Sequence, residues 1–155
     1  MNEKHSQEKH SQIEDDTVKL LRECDSGIRM GVSSIDEVLD YVQNDDLRGK
    51  LNQCRSEHES LREETMLRLC RLHEDGKEPN PIAKGMSWVK TNVKLIAKES
   101  DSTIADLITD GCNMGVKSLH RYLNQYHQAD EGARDIASRL IAQEQRLTDQ
   151  MRPYL

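Results

Sequence analysis

The side chains through which this 155-residue chain could do acid–base, thiol or metal chemistry are six histidines, four cysteines and a few carboxylates in unusual places. Glu144 interrupts the line Ala133, Ala137, Leu140, Leu147 and Met151. Asp25 interrupts Val18, Leu21, Ile28, Val32, Ile35, Leu39 and Val42, while Cys54 and His58 interrupt Leu47, Leu51, Leu61, Thr65, Leu69 and Leu72. Steps of three and four put each line on one helix face, so these polar groups point towards a core. His58 and Glu144 lie at similar distances from the starts of their helices and are expected to meet at mid-bundle. A buried histidine and carboxylate are most cheaply satisfied by each other, as a plain hydrogen-bonded or ionic pair. Cys54, one turn from His58, opens a second reading. Thiolate, imidazole and carboxylate together suit a mononuclear zinc or iron site of His58, Glu144 and Cys54, with Asp25 outside it. Asp25 has local partners at helical spacing in Arg22 and Arg29.

Several chemistries are excluded. A di-iron centre in a helical bundle needs Glu-x-x-His pairs, which put two ligands on one helix face. The residues three before His58, His73, His120 and His127 are Arg55, Cys70, Lys117 and Asn124, so the motif is missing. No G-x-x-x-x-G-K-[S/T] loop or G-x-S-x-G elbow occurs. Cys70 and His73 sit near a helix end and suit opportunistic surface binding at most. His5 and His10 have nothing to preorganise them, and the side of its helix on which Asp110 lies, beside Cys112, stays open. Thiol redox sensing through Cys24, Cys54 or Cys112 is a further, weaker reading.

The elements that must position these groups follow from caps and breakers. Residues 3–12 repeat EKHSQ twice without a hydrophobe, which predicts a flexible arm over 1–14. Helix 1 is expected over 15–43, capped by Asp16 or Thr17. Asn44-Asp45-Asp46 makes a tight turn into helix 2 over 46–74, which Gly76 and Pro79 end. Asn80-Pro81 opens a separate amphipathic crossover helix over 81–98. Its Trp88 and Leu95 lie off the main line, as a wider buried face or a contact patch for another protein. Helix 3 spans 103–127 with Ser102 or Thr103 as its cap, and Asp130 starts helix 4. Long helix, tight turn, long helix, long crossover and a second such hairpin predict an all-α four-helix bundle over 15–155.

A repeat ties the two halves together. G-x-x-M-G-V-x-S-[I/L]-x-x-x-L occurs at Gly27 and again 84 positions later at Gly111. A glycine inside a helix costs about 1 kcal/mol relative to alanine, so Gly27, Gly31, Gly111 and Gly115 need a reason. They are expected to form a small-residue seam where helices 1 and 3 approach closely. The stretches CDSGIRMGVSSIDEVLDYV (24–42), KGMSWVKTNVKLI (84–96) and IADLITDGCNMGVKSL (104–119) resemble a bacterial group of ferritin-like four-helix-bundle proteins defined only as a domain of unknown function. That resemblance implies the ferritin-like fold and carries no activity with it.

Composition narrows the partners. A net charge of −6 without a dense basic stripe argues against nucleic acid. No apolar run approaches the roughly 20 residues that span a bilayer, and no export signal is visible, so a cytoplasmic protein is expected. With the di-iron ligands missing, the favoured function is non-catalytic: a module that acts through a protein partner or as a homo-oligomer. The alternative is the divergent metal-binding or redox protein centred on His58, Glu144 and Cys54.

Overall fold

Among the described residues, four helices carry the apolar lines expected of the two hairpins. The computed structural model describes residues 2–72 and 93–155, with 93–100 as backbone only. In chain order they are α1 (Asn2–Leu39), α2 (Asp45–Arg71), α3 (Val93–Gln125) and α4 (Glu131–Met151), followed by a 3-10 turn, Arg152–Tyr154. Trp88 and the start of the crossover helix lie outside the described residues, as does the side chain of Leu95. No helix among the described residues is long and apolar enough to cross a membrane.

End-to-end contacts fix the helix directions. Asp101, near the start of α3, accepts from the backbone N–H of Gln43 (2.8 Å) and Asn44 (3.0 Å), just past the end of α1. Asp16 and Thr17 of α1 reciprocate beyond the end of α3, accepting from Gln128 N–H (3.0 Å) and Asp130 N–H (2.8 Å). α1 and α3 are therefore antiparallel. Arg68 near the end of α2 grips the Asp130 carboxylate at 3.0 and 2.6 Å, and Tyr154 beyond α4 bonds Asp46 at the start of α2. α2 and α4 are antiparallel too. With a short turn inside each hairpin, the order is up-down-down-up: α1 packs on α2, α3 and α4, and α4 packs also on α3 and α2.

The starts of α1 and α3 differ from those expected, and for related reasons. α1 begins at Asn2, not near residue 15, so the EKHSQ repeat is helical, with its side chains exposed. Glu, Lys and Gln are good helix formers, and extending an existing helix needs no new nucleus. Asp16 and Thr17 are caps in the chemical sense, but of the α3–α4 turn. Likewise Val93–Gln125 is one unbroken helix, so 93–98 do not close a separate crossover helix and Ser102 or Thr103 starts nothing. No Gly or Pro falls between Val93 and Thr103, and the neighbouring Asp101 serves the α1–α2 turn. α1 ends at Leu39 rather than 43. Val42 still reaches the core, now from the turn, with its carbonyl held by Arg48.

α2 and α4 start as expected. Asn44 accepts from the N–H groups of Asp46 and Leu47, and Asp130 accepts from Ala133 N–H. The core they help enclose is in two parts. One contains Leu21, Ile28, Leu61, Leu119, Leu140 and their neighbours. The other contains Ile35, Leu51, Ile108, Leu147 and theirs.

The buried Asp16 carboxylate should matter far more than the helix that precedes it. Asp16→Ala is expected to lower stability by about 1–2 kcal/mol, the usual loss for a cap. Deleting residues 2–11, none of them buried, should change the denaturant midpoint little; urea titrations of both variants check this.

Candidate functional site

The gap between the two apolar clusters is where the chemistry collects. Between buried members of the two clusters lie Gly31 (Ile28 and Ile35 on either side), His58 (Cys54 and Leu61), Gly115 (Cys112 and Leu119) and Glu144 (Ile141 and Leu147). Together these four make a polar layer at mid-bundle. His58 is 2% exposed and Glu144 7%. His58 Nε2 faces Glu144 Oε1 at 3.8 Å, and the other ring nitrogen, Nδ1, lies 3.6 Å from Cys54 Sγ. The expected pairing across α2 and α4 is present.

The glycines are part of this layer. Of the four expected to line a seam between α1 and α3, Gly27, Gly31 and Gly115 face side chains of α2 and α4 instead. A Cβ on Gly31 would come within 3.0 Å of His58 Cδ2 and 3.2 Å of Nε2. A Cβ on Gly115 would overlap Glu144 Oε2 and sit 2.9 Å from its Cδ. Gly27 looks onto Leu140 Cδ2 at an ordinary 3.9 Å. The close approach is thus of side chain to backbone. The imidazole lies on the bare Cα of Gly31, and the carboxylate occupies the volume a side chain at 115 would need. Gly111 is half-buried in the same stripe. Counting along the helices puts Gly31 and Gly115 at about the level of His58 and Glu144. What was missing was helix rotation, which decides whether a glycine faces a helix or a side chain.

Burial pulls the His58 pKa down. The Cys54 sulfur and the Glu144 carboxylate outweigh that and hold it up at about 10. Burial raises the Glu144 pKa above the carboxylate range, against the opposing pull of His58. Glu144 Oε2 has no hydrogen-bond partner, which adds to the cost of ionising it. Both shifts favour the protonated forms, so that His58 faces Glu144 as an imidazolium across 3.8 Å. Cys112, on α3, was not among the expected members of this site. Its thiol is pushed above its ordinary range by burial and by Glu144 and Cys54. Burial likewise pushes Cys24 up to about 12. Thiols held protonated in this way are poor nucleophiles and poor redox sensors.

A mononuclear metal site does not fit this geometry. Sulfur and carboxylate address opposite nitrogens of one ring, so a single ion cannot take Cys54, His58 and Glu144 together. Among the described residues no three His, Cys, Asp or Glu side chains converge to hold an ion. Asp25 lies apart. It is 1% exposed and paired with Arg62 Nε at 3.3 Å and with Arg29 Nη1 at 3.8 Å, the latter one of its two expected local partners. Arg139–Glu64 (2.6 Å) and Arg146–Glu57 (2.9 Å) bridge α4 and α2 on either side of the layer.

Comparison with models of known protein families, with curated proteins and with solved structures finds no match.

Alanine should read out what each glycine faces. Gly27→Ala is expected to stabilise by up to about 1 kcal/mol through helix propensity. Gly115→Ala should destabilise by about 2 kcal/mol, because the buried carboxylate must move. In a Glu144→Ala background the sign at Gly115 should reverse, a coupling that a double-mutant cycle measures directly.

The pH dependence follows from His58. A pKa raised in the folded state gives stability that is complete below the unfolded value and is lost as pH climbs through the folded one. The window here runs from about 6.5 to about 10. The raised Glu144 works in the same direction, from a lower pH. Urea melts between pH 6 and 10 should show wild type losing up to about 1 kcal/mol per pH unit relative to His58→Gln.

Proposed function

We propose that this chain is a cytoplasmic ferritin-like four-helix bundle working as a non-catalytic interaction or self-association module. The observation that carries this reading is the polar layer itself. At mid-bundle, where a ferritin-like protein gathers metal-binding carboxylates and Glu-x-x-His pairs, this chain places a closed His58–Glu144 couple on two glycines. The up-down-down-up order of the helices supports the ferritin-like assignment, because that order leaves the second and third helices parallel.

The binding role is supported by what the core does not use. Leu67 on α2 and Met114 on α3 stand 60% and 63% exposed, and Met114 is part of the repeated glycine motif. Large apolar side chains in solvent suit contact with another protein, and the acidic balance of the chain suits a partner other than nucleic acid.

Two measurements test the proposal together. Untagged protein, dialysed and analysed for metals, should carry no stoichiometric iron or zinc, and neither ion should raise its melting temperature under reducing conditions. Stoichiometric metal with a matching thermal shift would overturn the non-catalytic reading. Sedimentation over a range of protein concentrations should show self-association that Met114→Ser or Leu67→Ser weakens; wild type that sediments unchanged at every concentration would remove the self-association version.

A further inference from the structure

The two hairpins are built to one plan. The glycine motif recurs at a spacing of 84 positions, and the second glycine of each copy, Gly31 or Gly115, underlies the polar residue of its own hairpin. His58 and Glu144 each lie fourteen positions after the N-cap of their helix, Asn44 and Asp130. The end contacts exchange in the same way, with Asp101 serving the turn of the first hairpin and Asp16 and Thr17 that of the second. His58 and Glu144 are therefore equivalent positions that meet each other across a pseudo-two-fold axis.

Such a design carries a hazard. A hairpin that fits its near-copy in the same chain also fits its true copy in another chain. A first hairpin on a first hairpin would set His58 against a second His58. A second on a second would set Glu144 against a second Glu144. Only the mixed pairing brings opposite charges together in the buried layer. We propose that the His58–Glu144 couple is a pairing code, which selects the mixed assembly of first and second hairpins over homotypic assembly between copies of the chain. Placing like charges together in a low-dielectric layer is heavily disfavoured, and registry is the best-attested use of a buried ion pair. The titratable groups beside the couple are the thiols of Cys54 on α2 and Cys112 on α3, while α1 presents Gly31.

Equivalence makes the proposal testable in the full-length protein. Since both sites have a glycine floor, the exchange His58→Glu/Glu144→His should fold with a denaturation midpoint nearer to wild type than to either single variant. His58→Glu alone should weaken as pH rises and two carboxylates ionise. Glu144→His alone should weaken as pH falls and two imidazoles charge. The neutral pair His58→Gln/Glu144→Gln, refolded from urea at increasing protein concentration, should yield extra oligomeric species by light scattering that wild type does not form. An exchange no more stable than the single variants would overturn the equivalence. A neutral pair that refolds to the wild-type distribution of species would overturn the pairing code.

Discussion

One imidazole and one carboxylate, buried against each other with little room to spare, set the constraint at the centre of this bundle. His58 Nε2 and Glu144 Oε1 are 3.8 Å apart, and each side chain lies over a glycine of the neighbouring helix. An apolar layer would have been simpler, since charges lose solvation on burial and a mid-helix glycine is a weak helix former. Placing the couple here divides the apolar core into two clusters. It also requires four helices to agree in rotation and height. The layer is therefore better understood as setting register than as adding stability.

The ends of the bundle follow from that register. Asp130 caps α4, receives both nitrogens of Arg68 from α2, and gives its own N–H to Thr17 of α1. Gly132 leaves the room: a Cβ there would overlap Arg68 Nη1. At the opposite end, Tyr154 takes a hydrogen bond from Lys50 at 3.2 Å and bonds Asp46. These contacts can close only if the helices meet at one height, which the central layer fixes.

Much of this was legible in residue spacing. The α2 line from Leu47 to Leu69 and the α4 line from Ala133 to Met151 are buried as expected, including the anomalous His58 and Glu144. Those helices have clear N-caps and one apolar face each. α1 and α3 were harder, because their ends carry no breaker. Asp16, Thr17 and Asp101 advertise capping, but spacing does not say whose N–H groups they cap. The glycines failed as a seam for the same kind of reason. Their nearest neighbours are set by helix rotation, and a pattern rich in glycine and serine constrains rotation poorly. Cys54 was placed beside His58 correctly, yet only the ring's orientation shows that sulfur and carboxylate lie on opposite sides of it.

The couple gives the bundle a buried polar centre at the level where its two apolar clusters part. Beneath all of this lies the charge state of His58, held protonated beside Glu144 inside the folded protein. The direct measurement is an NMR titration of the His58 ring nitrogens and carbons. His58 should be an imidazolium at pH 8 and lose its proton only near pH 10. A neutral ring at pH 8, titrating near the ordinary histidine value of about 6.5, would contradict the claim.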